Sequence, residues 1–158
     1  MVKVGQVALI AIAGLSLVFI AACVGGNVWT KVEISIRGFT FKANAGLWKT
    51  CRNDECENRK IIPSWFKSVR AFAVLSCMAS IGAIVMSLLG LFTEKVKSIF
   101  ASVFFAAAAG CMVIALVVFV SKVESTQGGS IGWSYIIGWI GVVTSIFGVI
   151  LGFIAASF

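Results

Sequence analysis

Long apolar segments separated by short charged stretches make up most of the chain. Four of these segments contain no charged residue: Val4–Thr30, Ala71–Thr93, Ser98–Ser121 and Ser125–Phe158. Since a helix rises about 1.5 Å per residue, about 20 apolar residues span the hydrocarbon core of a bilayer. All four segments reach that length, and none shows the polar–apolar alternation of a membrane β-barrel strand. The pattern predicts four membrane-spanning helices over about residues 4–28, 70–93, 98–121 and 131–156.

The first apolar segment has a second interpretation. Lys3 followed by Val7–Ala22 resembles a signal peptide, and Ile20–Cys23 fits the cleavage site of a bacterial lipoprotein. The segment stays apolar through Val28, which makes it long enough to span a membrane. We therefore expect an uncleaved first helix.

Residues 29–67, between the first two helices, follow a different period. Apolar and β-branched residues occupy every second position from Val28 to Ile36, which is typical of a half-buried strand. Gly38 interrupts this alternation and Phe39–Lys42 resumes it, as expected of a hairpin. The loop between the first two helices is therefore predicted to contain a small antiparallel sheet.

The rest of this loop offers weaker signals. Gly46–Cys51 and Cys56–Ile62 are candidates for a third and a fourth strand, with a turn over Arg52–Glu55 between them. Pro63, the single proline, precedes Ser64, which is a candidate cap for the second helix. Three tryptophans of the loop are expected to anchor the sheet at the lipid headgroups, or else to form the core of the loop: Trp29, Trp48 and Trp65.

Composition supports a membrane location and argues against catalysis. Of the 158 residues, 60% are hydrophobic and 12% are charged, whereas a soluble domain carries about 25% charged residues. The chain has no histidine and six acidic residues, nearly all beside basic ones. We therefore expect no catalytic, cofactor-binding or metal-binding site, and no enzymatic activity.

Charge and cysteines disagree about which side of the membrane the large loop faces. The loop carries eight basic residues, which places it in the cytosol by the positive-inside rule. Cys51 and Cys56 lie close together in a polar turn, and such a pair favours a disulfide, which persists outside the reducing cytosol. Two free thiols in a cytosolic loop are the alternative, and a zinc site lacks two further ligands. We expect the disulfide and an extracellular loop.

Small residues recur at every fourth position of two predicted helices. They are Thr144, Gly148, Gly152 and Ala156 in the fourth helix, and Ser102, Ala106 and Gly110 in the third. Such spacing lets helices approach closely in lipid. We expect these faces to pack within one molecule, with side-by-side assembly of molecules as the alternative.

Several motifs of the loop resemble those of a known family. Trp29 followed by Gly46-Leu47-Trp48 and by Cys51 and Cys56 is similar to the W…GLW…C…C signature of the claudin superfamily, which includes the peripheral myelin and epithelial membrane proteins. Trp65–Ser76 and Trp133–Trp139 resemble the starts of the second and fourth helices in the lens fibre branch of that superfamily. This similarity covers nearly the whole chain.

The resemblance implies a fold and a role. The fold is a single claudin-like domain over residues 1–158, a left-handed bundle of four transmembrane helices with a small extracellular antiparallel β-sheet in loop 29–67 and a short second extracellular loop at 122–130. Both termini are then cytoplasmic. The residues expected to anchor the sheet are the family motif and a basic residue at the start of the second helix: Trp29, Gly46, Leu47, Trp48 and Arg70.

The expected function is structural. The family resemblance implies adhesion or close membrane apposition at cell–cell contacts of the plasma membrane, with a paracellular barrier or anion-preferring pore and an auxiliary subunit of a channel or receptor as alternatives. Expected partners are membrane lipids, further copies of the chain in the same or the opposing membrane, and other membrane proteins, but not nucleic acid. The candidate contact surface combines basic and aromatic positions of the loop: Lys31, Arg37, Phe39, Phe41, Lys42, Arg59 and Lys60.

Overall fold

The described part of the chain forms four long helices and a five-stranded sheet. The computed structural model describes residues 2–53, 55–58, 60, 62–93, 98–124 and 130–157. The helices are α1 (Val2–Gly25), α2 (Ser64–Phe92), α3 (Ser98–Glu124) and α4 (Trp133–Ser157). Each helix is long and apolar enough to cross a membrane, as the apolar segments predict.

The helices pack in a ring, in which α1 contacts α2 and α4, and α3 contacts the same two helices. Buried side chains form two clusters along this bundle. The larger cluster includes Ile20, Phe66 and Leu116 from the helices together with Trp29 and Leu47 from the loop between α1 and α2. The smaller one is built around Leu9 and Phe105. The bundle core therefore continues into the base of the sheet.

Hydroxyl and amide groups join the helices inside the bundle. Ser16 and Ser145 are hydrogen-bonded across α1 and α4 at 2.6 Å between their Oγ atoms. Near the other end of α1, Gln6 Nε2 donates to Ser98 Oγ at 2.6 Å. Ser76 Oγ donates to the carbonyl of Ala108 at 2.8 Å, which links α2 to α3. In lipid, where water is absent, such bonds stabilise helix pairs by about 0.6 kcal/mol each.

The sheet has the strand order β4-β3-β2-β1-β5 and is antiparallel throughout. Its strands are β1 (Thr30–Ile36), β2 (Phe39–Ala45), β3 (Lys49–Arg52), β4 (Glu55–Asn58) and β5 (Ser130–Ile131). Because β5 immediately precedes α4 and pairs with β1, the end of α1 and the start of α4 lie at the same end of the bundle. The sheet caps that end.

The β1–β2 hairpin turns through two residues that both have positive φ, Arg37 at +50° and Gly38 at +86°. This is the geometry of a two-residue turn whose twist matches that of the flanking strands. Glycine adopts it without strain, whereas a residue with a Cβ is disfavoured there by roughly 1 kcal/mol. The hairpin predicted around Gly38 therefore forms, with Arg37 in the less favourable backbone conformation.

Several predicted boundaries differ from the observed ones. The first helix ends at Gly25 rather than near 28, because the chain must turn to bury Trp29. The second helix begins at Ser64 rather than near 70, and Pro63, which has extended backbone angles, occupies the cap position. The prediction that Ser64 caps this helix is wrong, because Ser64 lies in its first turn and its carbonyl accepts from Ser68 Oγ at 3.5 Å.

The other differences concern the ends of strands and of the last two helices. Gly46–Trp48 precede β3 instead of belonging to it, and Arg52 and Glu55 are strand residues rather than turn residues. The third helix continues to Glu124, and the fourth begins at Trp133 because Ile131 belongs to β5. The predicted second loop, 122–130, falls largely on residues 125–129, which lie outside the described residues.

The repeats of small residues pack differently in the two helices. In α4, Thr144, Gly148 and Gly152 are buried, and Gly148 and Gly152 face Phe105 and Ser102 of α3. In α3, Ala106 and Gly110 are exposed at the outside of the bundle. Packing within one molecule, which we expected for both repeats, therefore holds for these three residues of α4. It is wrong for Ala156, which is exposed at the end of α4, and for most of the repeat in α3.

Candidate functional site

Trp29 joins the sheet to the bundle. Its side chain is buried, with its ring 4.8 Å from that of Phe119 and edge-on to it, and its Nε1 donates to the carbonyl of Cys23 at 2.8 Å. Its backbone N–H donates to Ala45 and its carbonyl accepts from Gly132, both at 2.8 Å. Since Trp29 cannot reach lipid headgroups from this position, headgroup anchoring is wrong for this residue. It belongs instead to the core, the alternative that the sequence left open.

Trp48 also binds to the C-terminal end of α1. Its Nε1 donates to the carbonyl of Val24 at 3.0 Å. The last four carbonyls of a helix lack partners within the helix, and α1 ends at Gly25. The two indole groups of Trp29 and Trp48 therefore supply hydrogen bonds to adjacent carbonyls in the last turn of α1.

Gly46 and Leu47 let the chain approach the end of α1 closely. A Cβ at Gly46 would lie 2.7 Å from the Cα of Asn27 and from the carbonyl oxygen of Gly26. A side chain at this position would therefore push the segment away from the bundle. Leu47, the next residue, is completely buried in the larger core cluster.

Arg70 connects this segment to α2. Its Nε donates to the carbonyl of Leu47 at 2.7 Å. Its guanidinium carbon lies 4.7 Å from the ring centroid of Trp48 and 5.2 Å from that of Phe66, within the range of cation–π attraction. A single arginine thus holds the sheet base against the start of α2.

The disulfide cross-links the last two strands at one edge of the sheet. Cys51 and Cys56 are bonded to each other and lie directly opposite on β3 and β4. Asn53, in the turn between them, has a φ of +46°, a conformation that asparagine tolerates better than most residues. Closure of such a short loop contributes about 2 kcal/mol in the chain-entropy picture.

The β1–β2 hairpin has one apolar face and one charged face. Directly opposed residues of antiparallel strands point to the same side of the sheet, and the observed pairs include Ile34 with Phe41 and Ile36 with Phe39. We call these four residues the tip patch. On the other side of the hairpin, Lys42 is paired with Glu33 at 3.8 Å between Nζ and Oε1, in an exposed position.

Exposure rises along the hairpin from the bundle to the turn. Trp29 and Leu47 at its base are buried, and Val32 is partly buried. The exposed fractions of the tip patch are 46% for Ile34, 64% for Ile36, 83% for Phe39 and 42% for Phe41. The sequence pattern predicts a half-buried strand along its full length. In the structure, only the part of the hairpin near the bundle is buried.

A shallow concavity of about 300 Å³ lies on the same face of the sheet as the tip patch, nearer to the bundle. Its lining consists of small and β-branched residues with one arginine: Thr30, Val32, Ala43, Asn44, Ala45, Thr50 and Arg52. The exposed apolar surface of the hairpin is therefore concentrated at the tip patch, whereas the concavity has a mixed lining.

The predicted contact residues are only partly brought together. Arg37, Phe39 and Phe41 lie at or next to the turn of the hairpin, and Lys31 and Lys42 lie on its charged face. Lys60 is exposed beyond the end of β4, and Arg59 lies outside the described residues. Ile34 and Ile36, which the sequence interpretation left out of the contact surface, complete the patch; their pairing opposite the two phenylalanines in the hairpin alternation was the available signal.

Within the described part of the chain, no group of three or more histidine, cysteine, aspartate or glutamate side chains is arranged to hold a metal ion. Cys23, Cys77 and Cys111 are free thiols in the helices. The chemistry of the site therefore rests on apolar surface, aromatic rings and cations.

Comparison with known proteins agrees with the motifs of the loop. A family model described as the PMP-22/EMP/MP20/Claudin family matches residues 1–152. Epithelial membrane protein 1 of Homo sapiens is 31% identical over 138 residues, which cover 84% of this chain and 88% of that protein. The lens fiber membrane intrinsic proteins of Homo sapiens and Rattus norvegicus are each 27% identical over 115 residues, 66% of either chain.

The match to the lens proteins thus spans just under two thirds of their length. The resemblance carried by Trp29, Gly46-Leu47-Trp48 and the two cysteines is confirmed. In the structure, the two tryptophans of this motif donate hydrogen bonds to the end of α1, and the two cysteines form a disulfide in the sheet. With four apolar helices and this sheet, the chain is a multi-pass membrane protein that belongs to the PMP-22/EMP/MP20/Claudin family.

Proposed function

We propose that this protein is a structural membrane protein of cell–cell contacts, which brings two plasma membranes into close apposition through its sheet. Members of the family act in cell junctions and adhesion and are structural proteins rather than enzymes, and we extend both properties to this chain. The observation that carries the proposal is the tip patch. It is an exposed apolar surface at the end of a sheet whose base is buried in the bundle.

The proposed orientation places the sheet outside the cell and both termini in the cytosol. The Cys51–Cys56 disulfide supports this orientation, because disulfides persist in oxidising compartments. The basic residues of the loop argue for the opposite orientation. We give the disulfide more weight because the positive-inside rule describes short loops statistically, whereas a cytosolic disulfide would be reduced.

The anchors would turn the sheet into a rigid spacer. Trp29, Trp48 and Arg70 tie its base to α1 and α2, and β5 ties it to the start of α4. Seven-residue strands are about 23 Å long, so the hairpin turn can stand well beyond its base. A membrane that contacts the tip would be held at a fixed short distance.

Reconstitution into liposomes tests the proposal. Proteoliposomes carrying this protein should cluster, as measured by light scattering and electron microscopy. Reductant should weaken the clustering, because it opens the disulfide that joins β3 to β4. The variant C51S/C56S should cluster as weakly without reductant, whereas C111S, which alters a free thiol of α3, should behave like the parent protein.

Three results would decide against adhesion. Absence of clustering by correctly oriented protein would overturn it, as would clustering that C51S/C56S leaves unchanged while its sheet is shown to be disordered. Charge-selective resistance across an epithelial layer, with continuous strands in freeze-fracture images, would favour the paracellular barrier instead.

A further inference from the structure

The tip patch is an unusually large exposed apolar surface for a part of the chain outside the helix bundle. Four large side chains are exposed together over a few hundred Å², which is near the largest apolar patch that soluble monomers show. Exposed apolar residues on the outer faces of the helices meet lipid, but the tip patch lies at the end of the hairpin away from the bundle core. Patches of this size often mark a site that contacts another protein or a membrane.

The size of the patch argues against a protein as the main partner. Stable protein–protein interfaces bury about 800 Å² on each side and contain a well-packed centre. The tip patch is smaller, and it occupies one face at the end of a two-stranded ribbon instead of a broad surface. Two aromatic rings with two branched aliphatic side chains are instead the kind of apolar group that inserts into the boundary between headgroups and acyl chains.

Charge near the patch indicates which surface it meets. The hairpin over residues 30–45 carries Lys31, Arg37 and Lys42 against Glu33, a net charge of +2. Arg37 lies in the turn itself, next to the patch, and is exposed. Two such hairpins from facing molecules would bring cations against cations, whereas an anionic lipid surface would attract each of them.

We propose that the tip patch inserts into the headgroup layer of the facing membrane, and that anionic lipid headgroups attract it through Arg37 in the hairpin turn. This inference rests on the proposed function, because it requires the sheet to face a second membrane. It adds that the partner across the gap is lipid and not a second copy of the chain.

The test uses full-length protein in donor vesicles and protein-free acceptor vesicles. Acceptors of phosphatidylcholine mixed with phosphatidylserine should be captured, and acceptors of phosphatidylcholine alone should be captured much less. Added salt should reduce capture, because it screens charges over about 8 Å at physiological ionic strength. F39S should lower capture by about tenfold or more, since it removes the most exposed aromatic ring of the patch.

Two variants separate apolar insertion from charge and from general damage. I131S removes an exposed apolar side chain at the opposite end of the same sheet face and should capture acceptors like the parent protein. R37N removes the cation but retains a residue that accepts positive φ. It should reduce capture by anionic acceptors and leave the weak capture of neutral ones unchanged.

A spectroscopic arm locates the tip. In F39W the introduced indole should be quenched by brominated lipid placed in the acceptor vesicles, and not by brominated lipid placed in the donor vesicles. Quenching from the donor side alone would overturn the inference, because the tip would then lie on its own membrane.

The remaining outcomes distinguish this inference from the proposed function. If proteoliposomes cluster with one another but ignore protein-free acceptors, adhesion stands and the lipid partner is wrong. If F39S and I131S reduce capture equally, the tip patch has no special role and the inference fails. If vesicles cluster in no combination, the proposed function itself fails.

Discussion

Individual side chains fasten the sheet by donating hydrogen bonds to main-chain carbonyls. Trp29 and Trp48 donate to Cys23 and Val24 in the last turn of α1, and Arg70 donates to Leu47. These bonds lie at the boundary between bundle and sheet, where a carbonyl left without a partner costs about 1–3 kcal/mol. The contacts explain why this region needs indole and guanidinium groups rather than any large apolar residue.

The hydrogen bond of Trp48 can be tested separately from its ring. W48F keeps an aromatic surface for Arg70 and removes the donor to the carbonyl of Val24, so we expect a loss of about 1 kcal/mol in the free energy of unfolding. Unfolding in detergent micelles measures this loss. W133F, which alters a half-exposed tryptophan at the start of α4, should change the value by less than about 0.5 kcal/mol; equal losses in both variants would contradict this role.

Among the elements, α3 and α4 make a close helix contact for which a small residue is required. A Cβ at Gly148 would lie 2.5 Å from Cδ1 of Phe105, whose side chain is completely buried in the smaller core cluster. Ser102, in the same helix as Phe105, donates to the carbonyl of Val149 at 3.3 Å. The close approach of α3 and α4 thus involves both packing of the Phe105 ring against Gly148 and a hydrogen bond between the two helices.

G148A should therefore weaken the bundle. Because the Phe105 ring has little space to move, we expect a loss of about 1–3 kcal/mol in the free energy of unfolding. G110A is the matched control, since a Cβ at Gly110 meets nothing within 4 Å, and its effect should stay below about 1 kcal/mol. Thermal unfolding of both variants in micelles measures this difference. Similar free energies of unfolding would contradict the prediction and would show that the Phe105 ring moves to accommodate the added methyl group.

For the whole molecule, the decisive property is that segments distant in sequence meet at one end of the bundle. The end of α1, the base of the hairpin, Leu47, β5 and the start of α2 converge there. The sheet is therefore an extension of the bundle core rather than a loop attached to it. The redox state of the Cys51–Cys56 pair in the sheet therefore indicates on which side of the membrane this end of the bundle lies.

Mass spectrometry without reduction tests the sidedness. Peptides containing Cys51 and Cys56, isolated from intact cells, should be linked, and impermeant reagents should label lysines of the loop from outside. The expected reason is that an extracellular disulfide survives, whereas a cytosolic one is reduced. Free thiols at both positions that react with reagents only after permeabilisation would place the loop in the cytosol.

Much of the fold follows from local patterns. Apolar length predicts the four helices, and the two-residue period up to Ile36 with Gly38 after it predicts the first hairpin. The pattern could not reveal β5, because Ser130 and Ile131 become a strand only by pairing with Lys31 and Thr30 far away in sequence. It also could not show that serines in apolar segments, such as Ser16 and Ser145, bond to each other.

Some features of the candidate site were likewise predictable from the sequence, and others were not. The sequence by itself determined a membrane protein with a β-hairpin of alternating apolar and charged residues, because hydrophobicity and period are local properties of the chain. Only the tertiary structure decided that Trp29 is buried and that Ile34, Ile36, Phe39 and Phe41 are exposed. The physical reason is that burial is a property of the packed molecule and not of the local sequence. Burial depends on which elements pack against a face, and the bundle reaches the base of the hairpin but not its tip.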